Sequence, residues 1–521
     1  MKNKVYFLPI ALVCIVIGAV LGSLISSLSK RDSAVFSDKL GYVINLISNQ
    51  YVDKVNTDSL TDNAISLLLE ELDPHSVYLT KQELKKENES LRGNFDGIGV
   101  QFRIVKDTIV VVKTIKRGPS EKVGIMAGDR IVKVDGKNLT KNITNDSVLH
   151  YLKGTRGSKV KLSVQRRGAK KLMEFEVTRD KIETKAVAYY GMIDKQTGYI
   201  KLTEFSATAY EEVYNALQEL NNRGMKKLVF DLRGNGGGLL DQAINIADEF
   251  IAKGDLIVYT QGLHRGRRDF YATSGGLFEK GELLVLIDEL SASASEIVSG
   301  CIQDNDRGKI LGRRTFGKGL VQEQRELPDN SAIRLTVARY YTPSGRCIQR
   351  PYTNGNSEKY YEDFLLRYSN METGTDTISH SPEHKYKTKL GRVVYGGGGI
   401  EPDVTLSFGY KDYSTYYKDL IRQGLIFQYC FEFVDKNRKN LSQYASGEEF
   451  IKQFEVKDTD LNNMLLFASN NGVKKQNLSP KESSEIKKLM KAYITQNLWE
   501  DKYFYSIYLT LDNELQEALK K

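Results

Sequence analysis

The amino-acid sequence predicts an α/β chain of several domains, and three observations carry that expectation. At 521 residues the chain exceeds what one core organises, since a domain takes roughly 150 residues. From residue 181 to about 350, apolar runs of strand length alternate with amphipathic helical stretches, the pattern of a helix-covered sheet. On either side the text changes: residues 91–180 are β-rich with glycines at turns, whereas 33–90 and 409–521 place apolar residues at helical spacing.

Composition narrows the function classes. Hydrophobic residues make up 40% and charged residues 27% of the chain, with a mean hydropathy of −0.40, which excludes a disordered, collagen-like or polytopic membrane chain. Lys and Arg total 75 against 66 Asp and Glu, a net charge of +9. These basic residues are scattered rather than gathered in a stripe, so they describe a solvated surface and no nucleic-acid partner. Cys14, Cys301, Cys347 and Cys430 show no CxxC spacing, so neither a disulfide framework nor a structural zinc site is indicated. His380 and His384 have the spacing of a helical metal pair, but Pro382 between them spoils the shared face. No metal is expected.

The amino terminus sets the compartment. Lys2 and Lys4 precede an uncharged apolar run over 5–28, followed by Lys30 and Arg31. At 1.5 Å per residue this run is long enough for the ~30 Å hydrocarbon core. A cleaved signal peptide and an uncleaved anchor compete. The length of the run and the lack of an A-x-A-like site favour a single-pass transmembrane signal anchor. The basic start then stays cytoplasmic, and the rest is exported: inner membrane, with the folded part in the periplasm.

Residues 33–90 follow as a helical region. Leu40, Val43, Ile44 and Ile47 recur at helical spacing, as do Leu60, Ile65, Leu68, Leu69 and Leu72. Asp73-Pro74-His75-Ser76 ends the pattern at a proline boundary, with His75 a turn or packing residue.

In the β-rich segment, Gly97-Ile98-Gly99-Val100 precedes the alternating strand Gln101 to Val105. Consecutive backbone N–H groups in such a loop can form a nest for a carboxylate, although the glycines could also serve only a tight turn. Together with Pro119-Ser120-Glu121-Lys122-Val123-Gly124-Ile125, Ala127-Gly128-Asp129-Arg130-Ile131 and Val134-Asp135-Gly136, the segment 91–180 resembles a PDZ domain of the bacterial protease-associated type. The resemblance implies capture of a peptide carboxyl terminus by strand addition, with Gly97, Ile98, Gly99 and Val100 as the peptide-binding loop.

Residues 181–408 read as the core. GYIKL is a strand, and Thr208-Ala209-Tyr210-Glu211 reads as a capping box before a helix. KKLVFDLR, LIVYT and LLVLID are apolar enough to be buried strands of a parallel sheet. Gly234-Asn235-Gly236-Gly237-Gly238 is a flexible turn, and a hairpin is expected around Pro328-Asp329-Asn330. Residues 352–390, polar and poor in aliphatics, read as an inserted loop. The helical extension 409–521 holds the only tryptophan, Trp499, and offers no chemistry of its own.

The chemistry concentrates in two motifs. GELLVLIDEL runs into Ser291-Ala292-Ser293-Ala294-Ser295-Glu296 and a helix. A small-residue elbow there places a hydroxyl where helix N–H groups favour negative charge, as acyl transfer needs. Ser293-x-x-Glu296 equally fits a capping box, so nucleophile and N-cap remain two readings of one serine. A base is offered by Thr315-Phe316-Gly317-Lys318-Gly319. Under roughly one in a thousand lysines is neutral at pH 7, so Lys318 must be buried to act. Gln322, four residues on, would face the same side of a strand and could accept from it. The phosphate-loop spacing from Gly312 to Lys318 is discounted, because Gly319 stands where Ser or Thr would hold magnesium and a strand follows.

SASASEI, Gln303-Asp304, TFGKG, FDLRGNGGG and GGIEPDV together resemble the carboxy-terminal processing peptidases, or tail-specific proteases, over roughly residues 40–407. The resemblance implies a ClpP/crotonase-like core with Ser293 as nucleophile, Lys318 as base and Gln322 orienting it. It also implies oxyanion donors at Ala294 and Gly237, although Gly236 replaces a proline of the family's glycine turn. A serine endopeptidase acting on exposed carboxyl-terminal tails, without metal or cofactor, is the function implied. A homodimer or an adaptor protein is left open as partner. A non-catalytic, membrane-anchored PDZ scaffold is the alternative.

Overall fold

A computed structural model describes residues 39–105, 107–373, 382–407, 409 and 412–521. The run at 5–28, with its anchor reading, and His380 lie outside them. Among the described residues no helix is long and apolar enough to cross a membrane.

Helices α1 (39–50) and α2 (Thr57–Glu70) lead into a buried turn at 73–76, then β1 (Val77–Leu79) and α3 (Lys81–Arg92). Thr80 and Glu83 cap α3 reciprocally, and Gly93 at φ 68° ends it. β2 (Asn94–Gly97) opens the next unit. There follow β3 (Val100–Val105), β4 (Thr108–Thr114), α4 (Pro119–Lys122), β5 (Arg130–Val134), β6 (Lys137–Asn138), α5 (Asn145–Leu152), β7 (Lys159–Gln165) and β8 (Met173–Thr178). β9 (Asp180–Glu183) closes the unit by pairing antiparallel with β2. The strand order β3-β4-β5-β7-β8 leaves β3 at an edge, and Ile109, Val111, Ile131, Leu162 and Val164 fill the core beneath α5.

The larger unit comprises β10 (Val187–Met192), β11 (Thr197–Leu202), α6 (Ala209–Asn222), β12 (Lys227–Asp231), α7 (Leu240–Asp248), β13 (Leu256–Gly262), β14 (Arg265–Tyr271), β15 (Glu282–Ile287), α8 (Ala294–Asp304), β16 (Lys309–Gly312), β17 (Leu320–Glu326) and β18 (Ala332–Tyr341). After these come α9 (Ser357–Thr373), β19 (Lys385–Lys387), β20 (Val393–Tyr395) and β21 (Val404–Thr405). One sheet runs β10-β11-β12-β15-β16-β21, parallel from β11 onward. Its central strands β12 and β15 are buried on both faces: Leu228, Phe230, Val285 and Ile287 pack towards α6–α8, while Val229, Leu284 and Leu286 face the other way.

Three expectations need correction. LIVYT is a strand, β13, but it pairs antiparallel with β14 and β18 in a second sheet; an apolar run carries no sign of its partner's direction. Thr208 and Glu211 form no capping box. The Thr208 hydroxyl donates to Glu212 at 2.8 Å, and Glu212 accepts the N–H groups of Ala186 and Val187, so the carboxylate that matters ties the helix to β10. The polar segment after 352 holds a helix, α9, whose Tyr360 and Phe364 are buried at i, i+4 spacing.

Helices α10 (Thr415–Arg422), α11 (Leu425–Leu441), α12 (Gly447–Gln453), α13 (Asp458–Asn470), α14 (Pro480–Leu498), α15 (Asp501–Tyr508) and α16 (Asn513–Ala518) form the extension. Leu509, Leu515 and Ala518 cover Val229, Leu284 and Leu286, the face that α6–α8 leave open. The same extension holds the β3–β5 unit: Asp435 meets Arg130 and Arg167, Asp501 meets Lys113, and Arg103 on β3 lies 3.9 Å from the Phe427 ring centroid.

Candidate active site

β15 delivers the chain to the elbow at 291–293, and α8 leaves it. Ser293 is the residue before the helix, with φ 55° and ψ −112°, a left-handed conformation that a side chain adopts only under constraint. The constraint comes from three sides. The Ser293 N–H donates to Glu296 Oε2 at 2.8 Å, its carbonyl accepts the Glu296 N–H at 2.9 Å, and the Tyr340 hydroxyl lies 3.2 Å from the same carbonyl. The capping reading and the nucleophile reading are therefore compatible: the backbone of Ser293 serves the cap, and the residue remains partly exposed.

Lys318 approaches from the loop before β17. Its ammonium donates to Gln322 Oε1 at 3.0 Å, and Gln322 Nε2 donates to the His75 carbonyl. Burial, with Arg334 adding to it, lowers the Lys318 pKa below the ordinary lysine value, while Glu296 and Asp73 pull the other way. The structure thus brings Lys318 and Gln322 together as spacing anticipates, although a register shift lies between Val321 and Gln322.

Glu296 joins the two motifs. Its Oε1 accepts the Thr315 hydroxyl at 2.6 Å and the Gly317 N–H at 2.7 Å; its Oε2 accepts the N–H groups of Ser293 at 2.8 Å and Lys318 at 2.9 Å. Burial pushes this carboxyl up to about 7 despite those donors. The sequence shows Glu296 only as a capping partner, because its other contacts come from the loop between β16 and β17, about twenty residues on. Tyr340 is likewise silent in sequence, yet its hydroxyl contacts the carbonyls of both Ser293 and Lys318.

The oxyanion candidates divide. The Ala294 N–H, at the first position of α8, has no acceptor among the described residues. Gly237 lies against the serine, where a Cβ would stand 2.8 Å from Ser293 Cβ, but its N–H donates to Asn235 Oδ1 at 2.9 Å. In this state Gly237 is a spacer beside Ser293 rather than a free donor.

His75 is 9% exposed, with its ring Nε2 3.2 Å from the Tyr360 hydroxyl and its edge towards Phe316. Burial, with Lys318 second, lowers its pKa to about 4, so it is neutral at physiological pH. In the smaller unit, Gly97, Ile98 and Gly99 are buried and Val100 starts the edge strand β3. The carbonyl of Ile98 is held by Ser120 and that of Gly99 by Ile115; the Gly97–Lys153 bridge sets Ile98 alongside Leu152, while the N–H of Gly99 has no acceptor among the described residues. Such a loop can receive a carboxylate.

The model of peptidase family S41 matches residues 196–356, that of the PDZ domain 97–177, and that of the activating protease CtpB N-terminal domain 25–83. Over 318 residues the chain is 38% identical to the carboxy-terminal-processing protease of Bartonella bacilliformis, covering 60% of this chain and 72% of that protein. The chain belongs to peptidase family S41. This S41 peptidase is also 33% identical over 392 residues to the carboxy-terminal processing protease CtpA of Bacillus subtilis, covering 72% of its own length and 83% of the relative's. A solved photosystem II D1 C-terminal processing protease aligns with 70% of the S41 peptidase and 86% of its own chain, at 26% identity and a TM-score of 0.35. The expected architecture is the one found: an S41 fold carrying a PDZ domain, with helical regions at both ends. A family of unknown function matches 416–500, within the helices that brace the PDZ unit of this S41 peptidase.

Proposed function

We propose that this chain is a membrane-anchored serine endopeptidase that takes the carboxyl-terminal tails of exported proteins on its PDZ domain and cleaves them with Ser293 and Lys318. The observation that supports it best is the shared Glu296 carboxylate oxygen, which holds the backbone of a partly exposed serine and that of a lysine with a depressed pKa. Neutral Lys318 removes the hydroxyl proton as Ser293 attacks the peptide carbonyl, and the resulting ammonium gives that proton to the leaving amine. Gln322 Oε1 orients the lysine throughout. The Ala294 N–H receives the oxyanion, joined by Gly237 when its N–H turns from Asn235; each such donor is worth on the order of 100-fold in rate. A water deprotonated by the same lysine then releases the acyl group.

The tail's carboxylate binds at Ile98 and Gly99, and its strand adds to the edge of β3. The apolar run at 5–28 holds the enzyme in the inner membrane with the described residues in the periplasm.

The test is digestion of an unstructured protein by the detergent-solubilised full chain. Wild type is expected to cleave, with Ser293→Ala and Lys318→Ala inactive. Equal cleavage by all three sinks the dyad, and binding of tails without cleavage by wild type would establish a peptide-binding scaffold instead. Amidating the substrate's carboxyl terminus is expected to lower kcat/KM. Release of the protein from membranes by salt alone, or its resistance to protease added to spheroplasts, would refute the anchored periplasmic placement.

A further inference from the structure

The amide of Gln322 has two ends, and the fold uses both. Its Oε1 accepts from Lys318 at 3.0 Å, while Nε2 donates to the His75 backbone carbonyl. A carbonyl only accepts, so it fixes which end of the amide faces it. The oxygen turned to the lysine is thus determined by the backbone of residue 75, which lies far from Gln322 in sequence.

The turn that carries this carbonyl is organised by Asp73, 5% exposed. Its Oδ1 accepts the N–H of His75 at 2.8 Å, the N–H of Ser76 at 2.9 Å and the hydroxyl of Thr336 at 3.1 Å; its Oδ2 accepts the Ser76 hydroxyl at 2.5 Å. Ser76 Oγ in turn accepts the Thr336 N–H at 3.1 Å. Thr336 is the residue of β18 paired with Gln322 of β17. Asp73 therefore grips the residue opposite Gln322 and the loop that contacts the Gln322 amide.

We propose that Asp73 is a positioning residue of the peptidase, acting through the His75 carbonyl and Gln322 on the orientation of Lys318 and contributing a buried negative charge beside it. This rests on the Ser293/Lys318 reading. The groups whose charge couples with Lys318 are Glu296 of α8, Arg334 of β18, Glu87 of α3, and Asp73 and His75 of the turn. Asp73 favours the ammonium, so its neutralisation makes Lys318 a free amine at lower pH.

The experiment measures kcat against pH on an unstructured protein for the full chain, its Asp73→Asn variant, Gln322→Ala and the double variant. Asp73→Asn keeps the side-chain shape and removes the charge. Its acid limb is expected to move down by about half a pH unit or more, and its loss of kcat, on the order of tenfold, to vanish in the Gln322→Ala background. A profile superimposable on wild type, or the same loss in both backgrounds, overturns the proposal. If Asp73→Asn does not fold, Thr336→Val reads the same coupling: it removes one bond to the carboxylate and is expected to lower kcat in wild type but not beside Gln322→Ala. Equal lowering in both overturns it. Lys318→Ala, run alongside, separates the premises: full activity there fails the dyad, whereas an inactive Lys318→Ala with uncoupled Asp73 fails this inference alone.

Discussion

The backbone amides of Ser293 and Lys318 meet on one oxygen, Oε2 of Glu296, at 2.8 and 2.9 Å. Two segments that are separate in sequence are thereby referenced to one atom, and the other oxygen fixes Thr315 and Gly317. All four contacts are donors, so the ionised carboxylate, the form that prevails above about pH 7, satisfies every one of them. Glu296→Gln puts an NH2 against two of them. The variant is expected to lose on the order of 3 kcal/mol of stability, because each buried unsatisfied donor costs about 1–3 kcal/mol. Its folded fraction should lose about 100-fold in kcat, as for a displacement of reacting groups by around 1 Å. Urea denaturation and kcat together check this, and near-wild-type values in both would show that Glu296 is only a cap.

On the proposed mechanism Lys318 must act as a free amine, and its pKa is lowered chiefly by burial. Activity is therefore expected to rise with pH along a single-proton limb and to level off below the ordinary lysine range near 10.4. Lys318→Arg keeps the charge and cannot lose its proton, so it should be inactive at every pH. Measurable turnover by that variant would remove Lys318 as the base.

What the residues reveal and what they hide follows from the range of each interaction. The elbow at Ser293 and the glycine-framed Lys318 stand out in sequence because both are local patterns, whereas their meeting on Glu296 is visible only in the fold. β12 and β15 are legible because strands buried on both faces read as unbroken apolar runs. β13 reads the same way yet belongs to the other sheet, since such a run has lost the alternation that would distinguish partners. The α9 helix has a signal in Tyr360, Phe364 and Arg367, one face of a helix within a polar segment. Asp73 has none, because its meaning depends on Thr336 and Gln322, which only the fold brings to it.

Gly237 has φ 106°, and a Cβ there would come within 2.8 Å of Ser293 Cβ and 2.9 Å of the Ala292 carbonyl oxygen. Both the backbone conformation and the space exclude a side chain. Gly237→Ala is expected to displace Ser293, lowering kcat about 100-fold with KM nearly unchanged. A normal kcat would mean that the elbow has room that its contacts do not show.

His75 makes stability depend on pH. Its pKa falls from 6.5 to about 4 in the fold, so between those values the unfolded chain binds more protons. Stability from this residue is complete above about 6.5 and is lost as pH falls through 4. Glu296, raised to about 7, has the opposite sign, because the fold holds its proton longer, and it offsets His75 in the wild type. The comparison must therefore be between variants. Relative to wild type, His75→Phe should be about 2 kcal/mol more stable at pH 5 than at pH 7, read from urea curves at the two values. A difference that does not change with pH would mean that His75 protonates freely in the fold.

The extension's last helix is held by a carboxylate with two guanidiniums. Glu514 accepts from Arg313 at 2.6 Å and Arg233 at 3.1 Å and is 9% exposed. Removing it leaves neither arginine alone: Arg313 keeps Glu289 at 2.8 Å, and Arg233 keeps Asp231 and Asp512, each at 2.6 Å. The cost of Glu514→Ala should thus fall below the 3–5 kcal/mol typical of an orphaned buried ion, at about 2 kcal/mol. It should be concentrated in α16, because Leu515 and Ala518 cover Leu284, Leu286 and Leu311 only while that helix is docked. Ser293 is carried by α8, on the opposite face of the sheet. Hydrogen exchange is accordingly expected to quicken over Asn513–Ala518, with kcat per folded molecule unchanged. A fall in kcat that tracks the exchange would mean that the extension supports catalysis as well as the fold.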